Sequence, residues 1–283
     1  MKKAFVIGDK TRDAVRASLE EALPLIRQHV DVEEVNLATL TGELRGHADI
    51  AIVFGGDGSI LRVARAMGHS QIPTIGVNIG KFGFLAEVNQ QQLHHALDTL
   101  VAGDFQVARR MMLHCRAMRG EQVLMDSIGL NDAVVSRGAL SRLISVGLFI
   151  DDEHVTDYNG DGLIVATPVG STAHSLAAGG PILEADLRAF AITPICPHTL
   201  TNRPLVIPAN RKIELLVNPV HLEVALTIDG QVYTRLEPGD RITVLQAEQD
   251  FHLIQIGTRS YYQTLHTKLG WGGHPNYGGS QNP

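Results

Sequence analysis

Residues 50–61 read Ile50-Ala51-Ile52-Val53-Phe54-Gly55-Gly56-Asp57-Gly58-Ser59-Ile60-Leu61: an apolar run, a glycine-dense turn and the start of a second apolar pattern. Five apolar residues bounded by glycine fit a strand buried on both faces. Ser59 suits a helix N-cap, and Ile60, Leu61, Val63, Ala64 and Met67 follow at helical spacing. Three glycines let backbone amides converge at the positive end of that helix, which favours phosphate oxygens. The loop is neither Gly-x-Gly-x-x-Gly nor a Walker A loop. Gly76-Val77-Asn78-Ile79-Gly80-Lys81 approaches the latter but lacks one spacer and the terminal Ser or Thr.

Asp57 is out of place in a turn built for anions, because its charge repels phosphate unless something offsets it. Two roles would do so: coordinating Mg²⁺ carried by a nucleotide, or accepting the proton of a hydroxyl that attacks phosphorus. Both imply phosphoryl transfer. The plain structural alternative is an Asp-Gly turn between strand and helix.

Outward from this loop, strands alternate with helices. Ala4 to Ile7 is an apolar run, 11–30 is helix-compatible, 32–35 and 73–77 read as strands, and 90–101 as a helix. Such alternation predicts a mainly parallel sheet with sites at the carboxyl ends of its strands. From Phe105 to about Gly257 the pattern changes to short runs of Val, Ile and Leu. Turn signals separate them at Arg137-Gly138, Asp151-Asp152, Asn159-Gly160, Asn218-Pro219, Asp229-Gly230 and Pro238-Gly239. Residues 222–228 alternate as a half-buried strand, and Asp229-Gly230 would turn them into 231–234. The expected fold is an N-terminal Rossmann-like α/β domain over 1–104 and a β-rich domain over 105–257. A C-terminal segment over 258–283 contains a helix at 261–269 and a tail, 272–283, expected to be mobile.

The chain has 283 residues and a formal charge of −6, so it exerts no general pull on polyanions and is not expected to bind nucleic acid. Its 44% hydrophobic content is that of a folded protein. No window approaches the roughly 18 apolar residues of a membrane span, and the N-terminal apolar run is far shorter than a signal h-region, so no membrane association and a cytoplasmic location are expected. Cys115 and Cys196 lack Cys-x-x-Cys spacing and read as small apolar residues. No His-Glu-x-x-His or Gly-x-Ser-x-Gly is present, which removes the metalloprotease and α/β-hydrolase readings. Arg109, Arg110 and Arg137 could meet phosphates, although exposed arginines usually only solvate a surface.

Two further clusters carry chemistry. Residues 158–181, Tyr-Asn-Gly-Asp-Gly-Leu-Ile-Val-Ala-Thr-Pro-Val-Gly-Ser-Thr-Ala-His-Ser-Leu-Ala-Ala-Gly-Gly-Pro, combine an acid in a turn, an apolar strand and a Gly-Ser-Thr turn with room for a ribose or base edge. Leu130-Asn131-Asp132 sets an amide beside a carboxylate, able to bind a purine edge or ribose hydroxyls, although alone it reads as a turn or cap. His174, within the longer cluster, is taken as a contact rather than a base.

With these clusters in this order, the chain resembles the NAD kinases, which use ATP or polyphosphate to phosphorylate the 2′-hydroxyl of the adenosine ribose of NAD, giving NADP. The resemblance spans about 50–271. It runs through Gly55-Gly56-Asp57-Gly58-Ser59, Gly76-Val77-Asn78, Gly83-Phe84-Leu85, Leu130-Asn131-Asp132, Asp161-Gly162 to Gly180-Pro181-Ile182, Pro197-His198-Thr199-Leu200, Arg203-Pro204 and Thr267-Lys268-Leu269-Gly270-Trp271. It implies that Asp57 activates the 2′-hydroxyl while the loop, with Gly56 and Gly58, holds phosphates. Asn131 and Asp132 would contact adenine and ribose; Asp161, Thr172 and Ala173 would contact the nicotinamide half, with His174 beside them. Mg²⁺ would accompany the donor, with no residue assigned as a metal ligand. The family fold joins an α/β domain to a β-rich one, returns its C-terminal segment to the first, and forms homodimers or homotetramers that complete the NAD site. Here His174 stands where many members have Tyr, Asp132 where Glu is frequent, and Ser59 where Thr is commoner. The rivals are a lipid or sugar kinase sharing the Gly-Gly-Asp-Gly loop, disfavoured by the Gly-Ser-Thr-Ala segment, and a non-catalytic NAD-binding sensor, which has no need of a carboxylate among phosphates.

Overall fold

The computed structural model describes residues 1–80, 83–86, 88–138, 143–199, 201–219, 223–257 and 260–271. Readings that fall on Lys81, Leu200, Leu222 and the tail 272–283 lie outside the described residues. The first part comprises β1 (Lys3–Gly8), α1 (Asp13–His29), β2 (Asp31–Asn36), β3 (Ile50–Gly55), α2 (Asp57–Ala66), β4 (Thr74–Asn78), β5 (Val88–Asn89) and α3 (Leu93–Ala102). Strands β2, β1, β3, β4 and β5 pair in parallel in that order. Helices pack on this sheet, so all six residues of β3 are buried, as its unbroken apolar run requires.

The chain continues through β6 (Gln106–Arg119), β7 (Gln122–Gly129), β8 (Asp132–Arg137), β9 (Ile144–Ile150), β10 (Glu153–Gly160), β11 (Gly162–Ala166), α4 (His174–Ala177), β12 (Ala189–Ile195), β13 (Leu205–Pro208), β14 (Ile213–Val217), β15 (Val224–Ile228), β16 (Val232–Leu236), β17 (Arg241–Gln255) and α5 (Tyr261–Leu269). Strands β13-β12-β11-β8-β15-β16 form a six-stranded antiparallel sheet. The other strands join the N-terminal sheet, because the end of β17 pairs in parallel with β4 at Leu253 and Thr74. A core between the two sheets includes Leu113, Leu148, Leu163, Val165, Phe190, Leu215, Leu226 and Val244.

The Asp229-Gly230 hairpin and the helix at 261–269 form as the sequence predicts. Asn159-Gly160 does not form a turn: both residues end β10, and the chain passes at Asp161 from one sheet to the other. Cys115 is buried, which pushes its thiol pKa up to about 12. Cys196 departs from the expected packing role. It is exposed, in the left-handed region at φ 44, with its thiol in hydrogen-bonding reach of Asp161.

Candidate active site

The phosphate-loop candidate lies at the carboxyl end of β3, the expected place in a parallel sheet. Gly55, at φ 151, leaves the strand through a conformation open to glycine, and Ser59 Oγ fills the space a Cβ there would need. Gly56 is therefore the N-cap and Asp57 the first helical residue, so the cap stands three positions before the Ser59 cap expected from sequence. An acid in the first turn suits the positive helix end, where the amides of Asp57 and Gly58 have no helical carbonyl to bind.

Asp57 is half-buried and engaged. The Phe84 amide donates to its Oδ2 at 2.7 Å and the Leu85 amide to its Oδ1 at 3.1 Å. Gly83 comes so close that a Cβ on it would overlap the carboxylate. These donors offset the repulsion expected of an acid in an anion-binding turn, and they tie the loop to the segment after β4. Beside Gly55, Asn78 donates its side-chain amide to Gly80 O at 2.9 Å.

Asp132 opens β8, with Asn131 in the bend just before it, and pairs with Ala166 at the end of β11. The Asn131 carbonyl accepts from the Thr167 amide at 2.8 Å, and Gly170 rests on the Asn131 backbone so tightly that a Cβ would collide with it. Asp132 is 4% exposed; burial first, and the charge of Asp229 second, push its carboxyl up to about 7. Thr172 turns its hydroxyl onto Val169 O at 3.0 Å, Ala173 caps the short turn, and the exposed His174 opens α4.

Thr172 shares a cleft with Phe84 and Leu85, the partners of Asp57, and with Arg110, Pro168, Val169 and Tyr261 of α5. The structure thus brings Asp57, the Asn131–Asp132 turn and Thr172 around one region. Asp161 stands apart, at the other end of β11, about 17 Å away at the usual strand rise. Its carboxylate accepts from Arg137 Nε at 2.7 Å, and that guanidinium holds it below the usual carboxylate range. Arg110 is buried and pairs with Asp186. A cavity of about 860 Å³ beside the far end of α2, lined by Arg62, His69, His114 and Glu248 among others, holds none of the predicted site residues.

Sequence reading missed the residues that support the site. Asp229, read only as a hairpin residue, has a buried carboxylate that accepts the amides of Leu130, Asn131 and Asp132 at 3.1, 2.7 and 3.2 Å. Burial pushes its pKa up against the pull of those amides and of Arg65. No local signal marks it, since Asp-Gly between two alternating runs is what any hairpin presents.

Comparison with known proteins places the chain in a family. Residues 9–105 match the family model of the ATP-NAD kinase N-terminal domain, and residues 130–256 that of the ATP-NAD kinase C-terminal domain. The NAD kinase of Geobacter metallireducens is 41% identical over 250 residues, 88% of each chain. That of Rhodopirellula baltica is 39% identical over 271 residues, 96% of this chain and 87% of the relative. Among solved structures, an NAD kinase from Archaeoglobus fulgidus in complex with ATP aligns with a TM-score of 0.77 at 28% identity, covering 96% of this chain and all of that one. A yeast NADH kinase complexed with NADH shares the fold, with a TM-score of 0.89 at 22% identity over 99% of this chain and 90% of its own. The two domain matches cover most of the residues that build the loop, the Asn131–Asp132 turn and the Gly-Ser-Thr segment, and on that ground the chain belongs to the NAD kinase family.

Proposed function

We propose that this chain transfers the terminal phosphoryl group of ATP, or of polyphosphate, to the 2′-hydroxyl of the adenosine ribose of NAD, giving NADP. The observation that carries the reading is Asp57: a carboxylate in the first turn of α2, at the helix end whose first amides have no helical carbonyl, held by the amides of Phe84 and Leu85, which line a cleft with Thr172. In this reading the carboxylate takes the hydroxyl proton as the oxygen attacks phosphorus in line, while the amides of Asp57 and Gly58 hold phosphate oxygens. Asn131 and Asp132 hold adenine and ribose so that the 2′-oxygen meets the donor. Asp161, Thr172, Ala173 and His174 are assigned to the nicotinamide half.

Among the described residues no three His, Cys, Asp or Glu side chains converge as a metal cage. In this reading Mg²⁺ arrives on the donor's phosphates and keeps much of its water, with no residue assigned as its ligand. It would neutralise the charge of the transferring group. The reading also includes a homodimer or homotetramer. Asp161 and the Thr172–Ala173 turn lie at opposite ends of β11, so both reach one nicotinamide only if a second copy supplies one of them. Among the described residues no helix is long and apolar enough to cross a membrane. The reading places the enzyme in the cytoplasm, where both nucleotides are supplied.

The test is a matrix of donors (ATP, polyphosphate) against acceptors (NAD, NADH, a diacylglycerol, a hexose) with MgCl₂, resolved by chromatography. NADP or NADPH is expected. A phosphorylated lipid or sugar, or tight NAD binding without any phosphorylated dinucleotide, would overturn the reading.

A further inference from the structure

We propose that Asp229 is a positioning residue: through Arg65 and Gln231 it fixes the separation between the Gly56–Gly58 turn and the Asn131–Asp132 turn. The inference rests on the phosphoryl-transfer reading above and adds the device that holds the two substrate halves of that site in register.

Arg65 lies on α2, the helix that opens at the Gly56 cap, and is seven residues beyond Gly58. Side chains on a helix lean towards its N-terminus, so this guanidinium covers the turn nearer the loop. Its Nη1 lies 3.3 Å from Asp229 Oδ2, and its Nη2 donates to Gln231 Oε1 at 2.6 Å. Gln231 in turn donates through Nε2 to the carbonyl of Gly58 at 2.8 Å. On the other side, Asp229 accepts the Leu130, Asn131 and Asp132 amides. An unbroken set of hydrogen bonds therefore runs from the phosphate loop to the nucleoside turn.

The arrangement is built rather than incidental. The Asp229 side chain is fully buried and its backbone sits at φ 53, a conformation that turns the carboxylate onto the start of β8. A Cβ on Gly129 would press on Ile228 and approach Asp229 Oδ1 to 3.1 Å, so a glycine there leaves the carboxylate its place. Arg65 is mostly buried too, and a guanidinium fork is the group suited to hold a carboxylate and an amide oxygen together. A hairpin needs none of this to close. In-line transfer does need the donor phosphate and the 2′-oxygen held within a fraction of an ångström.

The experiment compares Gln231→Glu, Arg65→Met and their double variant with the unaltered chain in steady-state NADP formation. Gln231 is exposed, and a carboxylate in its place still accepts from Arg65 but no longer donates to Gly58. Each single variant is expected to lose about tenfold in kcat, with KM for NAD and for ATP within about twofold of the original. The double variant should be no more than about twofold worse than the poorer single one, because both changes break the same circuit. If Arg65→Met does not fold, Gln231→Glu decides alone. Unchanged kcat in folded variants, losses that multiply, or a kcat loss that follows only a lowered Tm overturns the inference while leaving NADP formation by the unaltered chain intact. No NADP from the unaltered chain removes the reading and the inference together.

Discussion

Gly83 stands against Asp57 with no room for a side chain: a Cβ there would overlap the carboxylate, whose oxygens accept the next two amides, Phe84 and Leu85. The segment after β4 thus serves as a socket for the acid of the phosphate loop. An anion-binding turn can carry a carboxylate here because the segment after β4 brings the donors that stabilise it. The same contact orients the acid and fixes the loop relative to the cleft.

Gly83→Ala should therefore harm activity more than its size suggests. Either the carboxylate or the Phe84 backbone must shift, and a loss in kcat of about tenfold to a hundredfold is expected. Overpacking at this half-buried contact should lower stability by about 1–3 kcal/mol. Initial rates and denaturant midpoints check both, and a variant with the original kcat contradicts the socket.

Asp132 links the site to pH. In the unfolded chain its carboxyl titrates near 3.8, and in the fold burial and the Asp229 charge raise it to about 7. Between those values the native state holds a proton that the unfolded chain has lost, so this group's contribution makes stability fall as pH rises from about 4 to about 7, then level off. Asp132→Asn removes the slope, worth on the order of 4 kcal/mol. The variant should gain in Tm relative to the original chain between pH 5 and pH 8. Asp229, raised in the same direction and coupled to Asp132 through its charge, titrates in both chains, so the difference between the two Tm curves reports the pair. Parallel Tm curves would contradict the assignment.

Asp161 is held by Arg137, and the pair lies away from the loop. Arg137→Ala should release the carboxylate and raise KM for NAD by about three- to tenfold, the cost of ordering a side chain on binding, while kcat stays within about twofold. Initial-rate kinetics over NAD concentration separate the two. A collapse of kcat at unchanged KM would place Asp161 with the reacting atoms instead.

The sequence was informative where local patterns carry the physics. The Ile50–Phe54 run, short and bounded by glycine, fits a strand covered on both faces, and the helix at 261–269 and the hairpin at 229–230 follow from periodicity and turn chemistry. The helix start was less legible: Ser59 is a good cap by type, but the backbone reversal at Gly55 lets the helix begin at Asp57. Asn159-Gly160 carries a turn signal that pairing with β9 overrides. The parallel contact of β17 with β4, the amides on Asp57 and the Arg65–Asp229 pair join residues far apart in the chain. No single-sequence pattern encodes such partners, so the chemistry of the site could be read while its supports could not.

The most direct test of the account is Asp57→Asn. One side-chain oxygen remains to accept from the Phe84–Leu85 amides, so the fold should hold, and NAD affinity measured by calorimetry should stay within about threefold. The rate of NADP formation in a single turnover should fall by about 10²–10⁴-fold, the span of general-base catalysis. A folded Asp57→Asn variant that binds NAD and forms NADP within about threefold of the original rate would contradict the role given to this carboxylate.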